Sequence, residues 1–456
     1  MPEPSVVPLP DRPPFRLRAR LISPLADGST LNIDDGLVAV DAEGRIASVL
    51  GAGAANDADL AGTIDVRPWV VLPGLVDLHA HLPQVPNAGL GYGLTLLGWL
   101  DRLTFPTERS WADHALAERL APAIFRAFAA AGTTTVLGYG VVYEPAMDAA
   151  FRAAEAHGIR AILGKVMMDR ITYDATIDPS TIVSRSVAES RRLAERWHGA
   201  AGGRLGYAVS PRFAISCTAE LLEASAALAA ELGCWWQTHL AEDPAECDEV
   251  ARLFPASRDY VDVYERAGGL GPRAVLAHAI HLSPSEEARV AAAGARIAHC
   301  PAANVFLAAG VMPLASRLAA GITVGLGSDV SGGPELSLFG VMRAGAYAQQ
   351  ARRALVDGEA DRYGDALGPL DWLRLGTLDG ARALGLADAI GSIEAGKEAD
   401  LIVVDPGLTA ALEDGAAADA ALLADPELLV SRLIFRAHPE MVRAAWVRGR
   451  RLEGPS

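Results

Sequence analysis

The chain has 456 residues, of which 51% are hydrophobic and 21% are charged. It can therefore bury a large core, and this composition excludes a globally disordered protein. Forty Lys and Arg against 56 Asp and Glu give a formal net charge of −16, which argues against nucleic acid or an anionic membrane as a partner. The length suits one large α/β barrel with a satellite domain, or two to three ordinary domains.

The cysteines and the N-terminal segment indicate the compartment. The four cysteines form no CxxC pair, which is typical of free thiols in a reducing environment. Residues 1–14 are rich in proline and lack the basic-then-apolar pattern of a signal peptide. The sequence has no uninterrupted run of about 18 apolar residues, so no transmembrane helix is predicted. We therefore expect a soluble protein of the cytoplasm.

The N-terminal 70 residues are predicted to be strands and tight turns. Residues 37–40 and 45–49 are strand-like and flank the turn-forming residues 41–44, which is the pattern of a β-hairpin.

The middle of the chain alternates between short apolar runs and longer stretches of helical period. The predicted helices include 115–131, 181–197, 218–232 and 244–267. Eight runs are rich in β-branched residues, namely 70–78, 133–139, 160–167, 204–210, 234–240, 274–280, 296–300 and 323–328. Eight strands alternating with helices predict an α/β fold of the (β/α)₈ TIM-barrel type.

The C-terminal part returns to strand-like sequence at residues 399–405 and 442–450. Because both ends are rich in β-structure and the middle is not, we expect the two ends to meet. The predicted organisation is a small composite β-sandwich domain, 1–70 plus 391–456, with the barrel, 71–390, inserted between its halves.

Metal-competent side chains follow four of the predicted strands. His79 and His81 are two residues apart on an extended segment, so both imidazoles lie on one face. Each histidine alone is more typical of a packed or hydrogen-bonded residue. The whole set lies where strands end, at the catalytic rim of such a barrel, and consists of His79, His81, His239, Glu242, His278 and Asp329. Imidazole and carboxylate without thiolate predict Zn²⁺, with iron or manganese possible.

The motifs around these residues resemble the amidohydrolase superfamily and, within it, the guanine deaminases. The resemblance runs in order from about residue 70 to 405. The metal motifs are shared across the superfamily, whereas the segments at 105–108, 164–169 and 211–213 are more specific. The supporting segments are PGLVDLHAH (73–81), TFPTE (104–108), GKVMMD (164–169), SPRF (210–213), THLAE (238–242), IAHCP (297–301) and GLGSDVSGG (325–333).

This resemblance implies a role for each residue at the rim. One zinc ion per chain would be held by His79, His81, His239, His278 and Asp329. The implied catalytic residues are Glu242, as proton shuttle, together with Asp329 and His278. The implied purine contacts are Gln84, Arg212, Phe213, His239 and Glu242. The products would be xanthine and ammonia, which places the reaction in purine catabolism, and the family suggests a homodimer.

One segment departs from the family pattern. Polar residues are usual between the proline and the asparagine after strand seven, whereas this chain has Pro301-Ala302-Ala303-Asn304. The departure does not touch the metal motifs and concerns which ring substituents the pocket accepts.

Three alternatives remain at this point. The same metal centre could deaminate or dechlorinate another aminated heterocycle, such as a pterin, a triazine or another purine. A binuclear cyclic-amide hydrolase would need a carboxylated lysine after strand four, but that strand ends in Ser210-Pro211-Arg212 and Lys165 falls at the third strand. The third alternative is a non-enzymatic metal-binding or structural protein on a degenerate barrel.

Overall fold

The computed structural model describes residues 8–174, 176, 178–356, 358, 366–412 and 421–454. Half of the segment used for the signal-peptide expectation, residues 1–7, lies outside this range. The strands are β1 Phe15–Pro24, β2 Thr30–Val40, β3 Ile46–Gly51, β4 Ile64–Pro73, β5 Leu75–His81, β6 Thr133–Tyr139, β7 Arg160–Gly164, β8 Val166–Met167, β9 Leu205–Pro211, β10 Trp235–Leu240, β11 Ala274–His278, β12 Arg296–His299, β13 Val324–Leu326, β14 Leu401–Val404, β15 Val442–Val447 and β16 Arg450–Arg451.

Helices separate the barrel strands and cover their outer faces. The α-helices of the described residues are Asp57–Leu60, Leu96–Trp99, Phe105–Ser110, His114–Ala130, Glu144–His157, Ile182–Trp197, Ala200–Gly203, Ala219–Leu232, Pro244–Leu253, Tyr260–Arg266, Pro284–Ala292, Pro301–Phe306, Leu314–Ala319, Leu338–Leu355, Pro369–Leu375, Leu378–Ala383 and Pro426–Phe435. Short 3₁₀ or π turns span Ala52–Ala54, Leu82–Asn87, Leu100–Thr104, Ala214–Ser216 and Pro406–Thr409. None of the helices within the described ranges is both long and apolar enough to span a bilayer.

The predicted (β/α)₈ barrel is confirmed. Its strands are parallel and follow the order β5-β6-β7-β9-β10-β11-β12-β13, with β8 as a short partner of β9. Two backbone hydrogen bonds join the last strand to the first. Asp329 N donates to His79 O at 2.7 Å, and His81 N donates to Val330 O at 3.1 Å. The C-terminal ends of the first and last strands are thereby held side by side.

Close approach at this seam requires a glycine. A Cβ atom on Gly327 would lie 2.7 Å from His79 Cβ and 2.9 Å from Cys300 Sγ. Because neither distance is sterically allowed, any larger residue would separate β13 from β5.

Three predicted elements are divided in the structure. The run 160–167 is split at Lys165 into β7 and β8. The run 70–78 is split at Gly74, so that β4 belongs to the terminal sheet and β5 begins the barrel. The helix predicted over 244–267 is two helices, because residues 254–259 leave the helical conformation around Pro255. The second helix begins at Tyr260, where the side chain of Asp259 caps Asp262 N.

Segments from both ends of the chain form one seven-stranded sheet, as predicted for the terminal domain. Its order is β16-β15-β14-β4-β1-β2-β3. The pairing of β4 with β14 is antiparallel and brings Pro73 opposite Leu401. The domain limits at 70/71 and 390/391 stay a prediction.

A buried ion-pair cluster joins this sheet to the barrel. Arg160 at the start of β7 donates to Asp400 Oδ2 from Nε at 3.1 Å and from Nη2 at 3.0 Å. It also pairs with Glu398, which accepts a second hydrogen bond from Arg448 at 2.8 Å. The side chains of Arg160 and Asp400 are only 3% and 1% exposed, so their charges depend on each other.

We expect Asp400→Asn to destabilise the protein by about 3 kcal/mol, because it leaves the buried Arg160 guanidinium with less compensating charge. The measurement is the free energy of urea unfolding. Glu118→Gln is the control, because its partner Arg152 is exposed and such surface pairs contribute about 0–1 kcal/mol. Equal unfolding midpoints for the two variants would contradict this role of the cluster.

Candidate active site

The histidines predicted to bind metal lie at one rim of the barrel. His79 and His81 end β5, His239 is the penultimate residue of β10, and His278 ends β11. Asp329 follows β13, and all five side chains are buried. The structure therefore brings together the five residues that the strand-end pattern selected, although their role as ligands stays a prediction.

The carboxylate of Asp329 is the centre of this cluster. Its Oδ1 lies 3.3 Å from His79 Nε2 and 3.4 Å from His81 Nε2, and its Oδ2 lies 3.8 Å from His278 Nε2. The Nε2 atoms of His81 and His239 are 3.2 Å apart. The imidazole nitrogens of His79, His239 and His278 and the Asp329 carboxylate thus face a common point, and His81 lies beside them.

These donor atoms fit a divalent metal ion. One potential ligand atom from each of His79, His239, His278 and Asp329 lies within 4.8 Å of all the others. That spacing suits a single ion with ligand distances near 2.0–2.2 Å. Among the described residues, His79 Nε2 and His278 Nε2 are buried without a hydrogen-bond partner. Such atoms are costly unless something else binds them, and an ion at the common point would do so.

Burial keeps three of the imidazoles, those of His81, His239 and His278, neutral. It lowers the pKa of His81 and of His278 to about 4 and the pKa of His239 well below its usual value. Burial alone would raise the pKa of Asp329, but its contacts with His79 and His81 lower that pKa well below its usual range. At neutral pH His81, His239 and His278 are therefore unprotonated and Asp329 is ionised, the forms that bind metal.

Two of the ligand candidates lie in strained backbone conformations. His278 has a φ of 68° and Asp329 a φ of 47°, both in the left-handed region. This region costs a residue other than glycine about 1–2 kcal/mol. Strain of this kind persists where surrounding contacts over-determine the conformation, as at functional sites.

Hydrogen bonds on the far side of the rings orient two of the histidines. Nδ1 of His239 lies 2.7 Å from the main-chain oxygen of Arg212. Nδ1 of His278 lies 2.8 Å from Oδ1 of Asn304. Because both partners are acceptors, each Nδ1 carries the proton, and each Nε2 presents a lone pair to the cluster.

Glu242 lies beside the cluster, in a loop whose main chain is hydrogen-bonded to the buried Glu246. Its Oε2 is 3.4 Å from His278 Nε2. Its main-chain N donates to Oε2 of the buried Glu246 at 2.8 Å, and Tyr260 donates to the other oxygen of Glu246 at 2.6 Å. Burial, reinforced by the charge of Asp329, raises the pKa of Glu242 well above its usual range. A carboxyl group with a raised pKa can both accept and return a proton near neutral pH.

A pocket opens directly onto these groups. It combines an apolar wall with the polar residues of the rim. Its lining residues are His81, Leu96, Trp99, Leu100, Arg212, Phe213, His239, Glu242, Leu307 and Asp329. The predicted purine contacts Arg212 and Phe213 are therefore placed on the pocket wall.

Gln84, the third predicted purine contact, is buried but is not among the lining residues. Its Nε2 donates to Oε1 of Glu108 at 2.7 Å. Glu108 in turn accepts from Nη1 of Arg212, at 2.9 Å on Oε1 and 2.7 Å on Oε2. In this conformation Gln84 supports Arg212 through Glu108.

Three supporting residues were not identified from the sequence: Glu108, Glu246 and Asn304. The segment TFPTE, which ends at Glu108, is one of the specific segments of the resemblance, but the sequence alone assigns no role to Glu108. Asn304 is the last residue of the segment Pro301–Asn304, which departs from the family pattern. The alanines at 302 and 303 do not prevent the hydrogen bond between Asn304 and His278.

Lys165 does not face the cluster. Its ammonium lies 3.2 Å from the Glu189 carboxylate and 3.1 Å from the Ser186 hydroxyl, both on the helix Ile182–Trp197 that covers the barrel. A lysine held in this way is not placed to bridge two metal ions.

We expect Asn304→Ala to weaken metal binding by about 10–100-fold, because the orientation and tautomer of His278 lose their support. The measurement is metal affinity by competition with a chelator. Asn56→Ala, which removes an exposed helix cap far from the rim, is the control and should bind metal as the unmodified chain does. Unchanged affinity in Asn304→Ala would show that His278 needs no support or is not a ligand.

Comparison with known proteins agrees with this geometry. Residues 70–452 match the model of the Amidohydrolase family. A probable guanine deaminase from Deinococcus radiodurans is 42% identical over 343 residues, which cover 75% of each chain. The guanine deaminase of Escherichia coli is 35% identical over 381 residues, covering 83% of this chain and 82% of that one.

A solved structure gives the same result. The crystal structure of guanine deaminase from C. acetobutylicum, with guanine bound in its active site, superposes with a TM-score of 0.85 and 26% identity over 96% of this chain and 99% of that one. The chain belongs to the amidohydrolase family, in the branch that contains the guanine deaminases.

Proposed function

We propose that the chain catalyses the hydrolytic deamination of guanine to xanthine and ammonia. One observation carries the proposal: a single pocket is lined by metal-competent groups, by the buried Glu242 and by Arg212. The first two suit hydrolysis of a C–N bond in a cyclic amidine, and the third suits a purine with a carbonyl oxygen. The relative from C. acetobutylicum binds guanine in its active site, which supports the same substrate here.

The cofactor we propose is one zinc ion per chain, held by His79, His81, His239, His278 and Asp329. Iron or manganese would suit the same ligand atoms. The pairing of Lys165 with Glu189, away from the cluster, supports one metal rather than two. A bound divalent metal lowers the pKa of water from 15.7 to about 7, which makes a nucleophile available at neutral pH.

In the proposed reaction the chain moves protons through Glu242. The oxygen of water forms a bond to C2 of guanine, and the bond between C2 and the exocyclic nitrogen breaks. Glu242 takes one proton from the water and delivers it to the ring nitrogen next to C2. It then takes the remaining proton from the hydroxyl on C2 and gives it to the departing amine, so that C2 becomes a carbonyl and ammonia leaves. Asp329 and His278 hold the reacting groups against C2.

Orientation of the ring would come from the pocket wall. Arg212 offers fixed donors to the C6 oxygen, and Phe213 lies with its ring 6.3 Å from that of His239, so that a planar base can pack beside both. Gln84 would contribute along the purine edge, directly or through Glu108. We further propose that the enzyme works in the cytoplasm, in purine catabolism, as a homodimer.

We expect guanine to be deaminated and adenine to be left essentially untouched. Adenine has an amino group where guanine has its carbonyl, so Arg212 would face a donor and stay unpaired, a mismatch that can discriminate by ~10⁴-fold. The measurement is ammonia release from guanine, adenine, a pterin and an aminotriazine. Faster release from the pterin or the triazine would favour the alternative of a deaminase for another heterocycle with the same metal centre.

We expect Glu242→Gln to retain one equivalent of metal per chain and to lower kcat by at least ~10²-fold, because it removes the group that carries protons. The measurements are elemental analysis and initial rates with guanine. Near-normal turnover would assign proton transfer to another residue, and loss of metal would make Glu242 a ligand. Two equivalents of metal in the unmodified chain, with activity following the second, would contradict the mononuclear centre.

A further inference from the structure

Glu108 is a buried carboxylate with no role in the chemistry described above. It is fully buried, and each of its oxygens accepts a hydrogen bond from Nη1 of Arg212, at 2.9 and 2.7 Å. The amide of Gln84 donates to the same carboxylate at 2.7 Å. Such an ion pair is costly to bury, so its presence next to the pocket needs an explanation.

The helix that carries Glu108 holds Arg212 from two directions. Phe105, three residues earlier, has its ring 5.4 Å from Arg212 Cζ. The residues just before this helix, Leu96, Trp99 and Leu100, form part of the pocket wall. The continuous segment 96–108 therefore both shapes the pocket and fixes the guanidinium that projects into it.

Arg212 has competing partners in the same pocket. Glu242 and Asp329, which also line it, are carboxylates that a buried guanidinium would otherwise pair with. Glu108 accepts hydrogen bonds from Nη1 only. Among the described residues, none accepts a hydrogen bond from Nη2 or Nε of Arg212. Glu108 thus balances the charge of Arg212 and leaves donors free for a ligand.

We propose that Glu108 is a positioning residue that sets the selectivity for a carbonyl oxygen at C6. It acts by holding the Arg212 guanidinium toward that oxygen and away from Glu242. This inference rests on the proposed function, since Arg212 must be the group that contacts the C6 oxygen.

The test compares guanine with 2-aminopurine, which has the same amino group at C2 and no oxygen at C6. For Glu108→Gln, the ratio of kcat/KM for guanine to kcat/KM for 2-aminopurine should fall about 10-fold or more, the scale expected for a lost hydrogen bond to a charged group. In an Arg212→Met background the same substitution should leave the ratio unchanged, because the group that Glu108 positions is gone.

The matched control is Glu189→Gln, which weakens another buried carboxylate pair, with Lys165, outside the pocket. It should leave the ratio as in the unmodified chain. If Glu108→Gln does not fold, Glu108→Asp, which keeps the charge but shortens its reach, should lower the ratio instead, and metal content with circular dichroism will show that the variant is intact.

The outcomes separate the two proposals. If the unmodified chain releases no ammonia from guanine, the proposed function fails and this inference fails with it. If it does release ammonia, the proposed function stands, and either of two results overturns the role of Glu108. In the first, substitution of Glu108 lowers kcat/KM equally for guanine and for 2-aminopurine. In the second, the substitution changes the ratio of these values by the same factor in the Arg212→Met background.

Discussion

The carboxylate of Asp329, buried among three imidazole nitrogens at 3.3–3.8 Å, is the constraint on which the site depends. Its position follows from barrel closure, because its main-chain N is bonded to His79 O and Gly327 allows the strands to approach. Burial lowers the pKa of His81 and His278, so a bound metal ion rather than an imidazolium would balance the charge of Asp329. Fold closure and metal chemistry are thus consequences of the same contacts.

Recognition and chemistry share a residue in this arrangement. The main-chain oxygen of Arg212 orients His239, while its side chain reaches the pocket and is held by Glu108. A shift of the loop after β9 would therefore disturb both the proposed metal centre and the proposed substrate contact. On the other side of the pocket, Glu246 accepts a hydrogen bond from the main chain of Glu242, the proposed proton-transfer group, and fixes its position. The reacting groups are positioned by backbone and buried carboxylates rather than by flexible side chains.

Much of this architecture is predictable from sequence, and the limits have a physical reason. Hydrophobic periodicity predicted eight barrel strands, and because parallel strands end at one rim, residues such as His278 could be assigned to a common site. Local pattern does not encode contacts between loops: Glu108 and Arg212 are 104 residues apart, and Asn304 reaches His278 only after the barrel has closed. For the same reason the contact of Gln84 with Glu108 could not be predicted, while its role at the purine stays a prediction.

The most direct test of this account is a crystal structure of Glu242→Gln with zinc and guanine, in which turnover is slow enough to trap the substrate. The account predicts one ion bound by the four imidazoles and Asp329, with C2 of guanine facing that ion and the C6 oxygen on Arg212. Guanine bound in the reverse orientation, with its C6 oxygen toward the ion and its amino group toward Arg212, would contradict it.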